Sequence, residues 1–172
     1  MRDRFLTQLQ TDWQAVRPDL NVEAMVQVLT LTRLGHHLQE RLDSLLAEHS
    51  LNAAGWDLLL ALYRSAPPEG LQPGQLIQVC AVRGPAISNR VTRLEERGLI
   101  QRTYSPEDRR TVRVHLTDLG RSTVEDLLPS FLLVEGQLLS PLDAEELSEL
   151  TRLAGRLLSS LEAFDTMHEF TK

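Results

Sequence analysis

Residues 84–120 read GPAISNRVTRLEERGLIQRTYSPEDRRTVRVHLTDLG, and this stretch decides the fold. With Ile87 set at zero on a helical wheel, Val91 and Leu94 fall within about 40° of it, so the three form one buried stripe. Gly98 then suits the left-handed residue that closes a helix. After it, Leu99–Tyr104 and Thr111–Leu116 are rich in β-branched residues and partly alternate, as strands do. The Ser105–Arg110 turn between them places two arginines at the tip of a hairpin. Thr117 suits the cap of a following helix.

The outward face of the 84–97 helix presents Pro85, Asn89, Thr92, Arg93 and Glu96, and Ser88 is counted with its DNA-binding residues. Asn and Arg can read adenine and guanine edges, and Thr can touch a thymine methyl. A plain solvated helix face would show the same residues. The hairpin decides between these readings, because Arg109 and Arg110 at its tip, with Arg102 and Arg113 on its strands, suit phosphate or the minor groove. Arg83 stands where a capping Ser or Thr is usual and is assigned to phosphate contact. Arg90 differs from Arg93. It lies about 60° from the centre of the buried stripe, so it points back toward the protein and needs a carboxylate or an anionic ligand there. Asp57 supplies a charge on the flank of the preceding apolar helix.

Upstream of this unit the chain reads as helix. Residues 3–16 carry Phe5, Leu6, Leu9, Trp13 and Val16 at helical spacing, and Pro18 ends that segment. A helix over 22–48 has Asn21 as its cap and a wide stripe from Val22 to Leu45. Asn52 caps a helix over 53–64, and the Pro67–Gly70 turn follows. Pro73 opens a short helix bearing Leu76, Ile77 and Cys80, with Gln72 a poor cap before it. Short helix, tight connection and second helix give helix-turn-helix spacing. Downstream, Pro129 is expected to kink or end the helix that begins at Asp118. Ser140-Pro141 then opens a last helix over 142–165.

The 172 residues carry a net charge of −6, which by itself argues against nucleic acid. Its distribution reverses that. Residues 83–121 hold nine Arg and five acids, leaving nine Lys/Arg and nineteen acids elsewhere. A basic island on an acidic body still attracts phosphate locally. One cysteine excludes an intrachain disulfide and fits a reducing compartment. No apolar run is long enough to span a membrane, and no signal-peptide pattern opens the chain, so a cytoplasmic location is expected. His36, His37 and His49 read as solvated or core residues and Cys80 as a buried thiol. No metal, cofactor or catalytic constellation is expected, so the chain is not an enzyme.

The DRRTVRVHLTDLG run at 108–120 closely resembles the wing signature of MarR-type winged-helix regulators, and the order of helices around it is similar too. The resemblance implies a mainly α fold with a small β-hairpin wing. It places a winged helix-turn-helix over 51–117 between dimerisation helices at 1–50 and 118–172. It also implies a homodimer that binds a pseudo-palindromic double-stranded operator and leaves it when a small ligand binds. The 51–71 stretch LNAAGWDLLLALYRSAPPEGL and the extra first helix resemble the urate-responsive HucR/PecS-type branch. That narrower resemblance implies a ligand site of Trp13, Asp57, Arg90 and Arg102 taking urate or a similar planar anion. The ligand would displace Asp57 and so pull on Arg90. Two rivals stand beside this reading: a regulator of the same type with a phenolic, oxidant or zinc trigger, and a winged helix used only for protein–protein assembly.

Overall fold

A computed structural model of the chain describes residues 4–67, 69–80, 84–104 and 112–169. Seven helices and one hairpin are formed among them. They run α1 (Arg4–Val16), α2 (Glu23–Glu48), α3 (Ala53–Ser65), α4 (Pro73–Val79), α5 (Gly84–Glu96), β1 (Ile100–Tyr104), β2 (Val112–Leu116), α6 (Asp118–Leu139) and α7 (Ala144–Glu169). This is the expected mainly helical architecture with a two-stranded wing.

The chain divides into two compact units, Met1–Phe131 and Leu132–Lys172. The first is built around α3. That helix buries Trp56, Leu58, Leu59, Ala61 and Leu62, so it is apolar on nearly every side and sits in the centre. Against it pack Leu76 of α4, the Ile87–Val91–Leu94 stripe of α5, Leu99, Ile100, Val114 of β2, and Val124, Leu127 and Phe131 of α6. Trp56 meets Phe131 as a tilted ring pair, centroids 5.3 Å apart. Burying these side chains supplies most of the driving force, at about 25 cal/mol per Å² of apolar surface.

The hairpin is antiparallel, with Ile100 opposite Leu116 and Arg102 opposite Val114. A third short piece joins it. Leu71 and Val114 exchange both backbone hydrogen bonds, which ties the turn after α3 to the wing.

The helix ends follow the sequence at some points and depart from it at others. Asn52 accepts the Gly55 amide at 2.8 Å and caps α3. Asn21 accepts the Glu23 amide at 2.9 Å, but the N-cap position of α2 falls on Val22, one residue later than the expected Asn21, and has no side-chain hydrogen bond. Thr117 accepts from Gly120 N while donating to Gly98 O, so one hydroxyl joins the end of α5 to the start of α6. Gly98 has φ +70°, and Leu99 N reaches back to Leu94 O. Gln72 is not the weak start expected, because the Gln75 side chain reaches back to accept its amide at 2.8 Å. Pro129 does not end its helix, and α6 runs on to Leu139. Pro129 itself is exposed, while Val124, Leu127 and Phe131 on either side of it are buried, so packing offsets the missing hydrogen bond. The start of α7 also differs. Asp143, not Ser140, caps it, accepting from Glu145 and Glu146 while Glu146 accepts from Asp143 N. Ser140 instead donates to Gln137 O and closes α6.

Large apolar side chains remain exposed in both units. They include Met25, Val28, Leu31 and Leu34 on α2, and Leu150, Leu153, Leu157, Leu158 and Leu161 on α7. In α7 these positions repeat at three- and four-residue steps and form an exposed apolar stripe.

Gly120 is the tightest joint in the first unit. A Cβ there would run into the Leu99 carbonyl oxygen, which is rigid backbone. Gly120→Ala is expected to destabilise the fold by roughly 1–3 kcal/mol through overpacking, measured as a drop in the urea midpoint with an unchanged slope.

Candidate nucleic-acid interface

The phase of α5 follows from burial. Ile87, Val91 and Leu94 are each almost fully covered, which turns Ser88, Asn89, Thr92 and Arg93 to solvent. Arg93 has no hydrogen-bonding or ionic partner among the described residues, as an unengaged reading side chain would. Thr92 is partly engaged, since its hydroxyl accepts from Arg102 at 2.9 Å. Arg83, Arg109 and Arg110 lie outside the described residues.

Arg90 turns inward. Its guanidinium lies 3.5 Å from the Asp57 carboxylate, with Arg90 largely covered and Asp57 about two-fifths exposed. This contact joins the recognition helix α5 to the central helix α3. At that exposure an ion pair is worth about 1 kcal/mol or less.

Arg102 and Arg113 are engaged differently from the sequence expectation. Arg102 on β1 pairs with Glu95 at 2.9 Å, and its own amide also donates to Glu95. It therefore locks the wing to α5 and is not joined to Asp57. Arg113 donates to Gly70 O at 3.1 Å and sits 4.0 Å from Glu69, tethering the wing to the turn after α3. Trp13 is half-buried on α1, which packs on α2, with Arg33 stacked over Phe5 at 4.9 Å. Among the described residues no hydrogen bond, ion pair or ring contact links Trp13 to Asp57, Arg90 or Arg102.

Two further residues were not singled out from the sequence. Glu95 receives both the side chain and the backbone of Arg102. Arg97 donates to Ser50 O at 2.6 Å and His49 O at 3.1 Å, so the end of α5 grips the end of α2. Its only sequence signal was a basic residue in the last helical turn.

The chain is similar to known transcriptional regulators. A MarR family model matches residues 49–111. The regulator PecS of Dickeya dadantii is 32% identical over 145 residues, covering 84% of this chain and 87% of that protein. The chain belongs to the MarR family. The transcriptional repressor MprA of Escherichia coli is 29% identical over 143 residues, covering 81% of each. The DNA complex of Staphylococcus aureus MepR superposes with a TM-score of 0.70 at 26% identity, covering 77% of this chain and 96% of that one. As a MarR family member the chain is a DNA-binding transcriptional regulator and not an enzyme. No helix among the described residues is long and apolar enough to cross a membrane.

Cys80 lies beside the Asp57–Arg90 pair. Burial, and after it the Asp57 carboxylate, push its thiol up to about 11, while Arg90 and Arg64 pull the other way. Below pH 9 both folded and unfolded chains keep this proton. Above it the unfolded chain releases the proton first, so stability falls as pH rises toward 11. At pH 7.5 Cys80 is expected to resist iodoacetamide in the folded protein and to react once urea unfolds it. Mass spectrometry of the alkylated peptide checks this.

Proposed function

We propose that this MarR-family regulator is a homodimeric repressor that leaves a pseudo-palindromic operator when urate or a similar planar anion binds. The observation that carries the reading is the Arg90–Asp57 pair at 3.5 Å between the recognition helix and the central helix. An anion that takes Arg90 from Asp57 changes the seat of α5 at a cost of about 1 kcal/mol or less, well within the binding energy of a small ligand. The similarity to the repressor MprA supports a repressive role.

In this reading Asn89, Thr92 and Arg93, with Ser88 beside them, read the major groove. Arg83, Arg109, Arg110 and Arg113 hold the phosphate backbone or minor groove. The winged helix occupies 51–117, and the segments 1–50 and 118–172 form the dimer. The exposed stripes of α2 and α7 are the surface a second copy would cover, since apolar patches of that extent mark an interface. A two-fold dimer would set its α5 helices one DNA turn apart, roughly 34 Å. Trp13 supplies a flat aromatic wall for the ligand, and Arg102 the second cation.

Urate titrated into the protein–operator complex is expected to release the DNA, followed by fluorescence anisotropy. No release at millimolar urate would sink the urate reading. Trp13→Ala and Arg90→Gln are each expected to blunt release by tenfold or more, and a fully responsive double variant would remove the proposed site.

Operator affinity should also fall steeply with salt, the logarithmic slope being about 0.9 per phosphate contact. The Arg109→Ala/Arg110→Ala double variant is expected to lower that slope by about two contacts. A slope unchanged from wild type would remove the wing from the interface.

A further inference from the structure

Four threonines inside helices donate their hydroxyls to the carbonyl four residues back. Thr11 bonds Thr7 O at 3.1 Å, Thr30 bonds Val26 O at 2.7 Å, Thr32 bonds Val28 O at 3.0 Å and Thr123 bonds Leu119 O at 2.7 Å. That back-bond is an ordinary use of a threonine hydroxyl within a helix. Thr92 on α5 is turned otherwise. Among the described residues it makes no such bond to Ser88 O, and its oxygen instead accepts from Arg102 Nη2 at 2.9 Å.

Arg102 is firmly held for this contact. Its Nη1 lies 2.9 Å from Glu95 Oε2, and its backbone amide donates to Glu95 Oε1 at 3.0 Å. One carboxylate of α5 thus fixes both the main chain and the side chain of this β1 residue. The guanidinium is mostly covered, whereas Thr92 is exposed on the outward face of α5.

A guanidinium has no acceptor, so Arg102 can only donate to the Thr92 oxygen. The hydroxyl proton is then turned away from the cation, and among the described residues it has no acceptor. The adjacent positive charge polarises the O–H bond and strengthens it as a donor. The same charge repels any second donor that approaches the oxygen. In the major groove, purine N7, guanine O6 and thymine O4 accept a proton, while cytosine offers only its N4 amino donor.

We propose that Arg102 is a positioning residue for base selection. Through the Thr92 oxygen it fixes Thr92 as a hydrogen-bond donor, so α5 selects a base with a major-groove acceptor and rejects cytosine at the position Thr92 faces. This selection rests on the reading that the outward face of α5 enters the major groove. Urate plays no part in it.

Duplexes recovered from a random-sequence pool by the full chain, with no small ligand present, give the base preference at every position. Wild type is expected to disfavour cytosine about tenfold at one position of each half-site, the range of one well-placed hydrogen bond. Thr92→Ser keeps the hydroxyl and that preference. Thr92→Val, of nearly the same shape, brings cytosine to within about twofold of the favoured base. Arg102→Met is expected to relax the same position alone, because a released hydroxyl accepts from cytosine N4 as well as donating. Adding Arg102→Met to Thr92→Val changes nothing more there. Glu95→Gln, which loosens the guanidinium without removing it, is the second variant should Arg102→Met fail to fold, and about threefold relaxation of the same position is expected.

A purely structural role for Arg102 would weaken all sequences by one factor and leave every preference in order, and that outcome overturns the proposal. If Thr92→Val relaxes the position while Arg102→Met and Glu95→Gln keep it, the proposal falls and the groove reading of α5 stands. If Thr92→Val leaves all preferences intact, Thr92 is outside the groove and both fall.

Discussion

The burial of Ile87, Val91 and Leu94 against α3 is the constraint on which the rest depends. It fixes the rotation of α5 about its own axis. Every other side chain on that helix then has one direction available. Asn89 and Arg93 go to solvent, Arg90 goes to Asp57, Glu95 goes to the wing and Arg97 goes to the turn after α2. Rotating the helix would uncover the stripe, at about 1.5–3 kcal/mol for each fully exposed side chain. The pairing of Arg90 with Asp57 contributes far less, so packing sets the phase and the ion pair reads it.

This ranking explains how a DNA-binding element can be both firmly seated and adjustable. Three polar clasps surround α5: Arg90 to Asp57, Arg102 to Glu95, and Arg97 to the His49 and Ser50 carbonyls. Each joins the recognition helix to a different element, namely α3, the wing and the end of α2. Each is partly exposed and individually weak. Losing any one of them leaves the buried Ile87–Val91–Leu94 stripe of α5 in place. The covered Cys80 thiol beside Asp57 keeps its proton at neutral pH and packs into the same core.

Much of the fold was legible in the sequence because its signals are local. Asn52, Thr117 and Gly98 act within a few residues of themselves, and each forms the cap that its type and position imply. The inward aim of Arg90 was also legible, since helical phase needs only the spacing from Ile87. Where a local rule met tertiary packing, packing prevailed. Pro129 is tolerated because its neighbours Val124, Leu127 and Phe131 are buried. Ser140 yielded the cap to Asp143 because the chain turns after α6 before α7 begins. The acceptors that Arg102 and Arg113 find, Glu95 and Gly70 O, lie 7 and 43 residues away and carry no local signal.

The sequence by itself determined the order of elements, the stripe that seats α5 and the separation of its arginines into outward and inward sets. These follow from the 3.6-residue repeat, the strand alternation and the residue types at the caps. Only the tertiary structure decided the acceptors of the inward arginines. Those depend on residues far apart in the chain that meet only after the apolar core has closed.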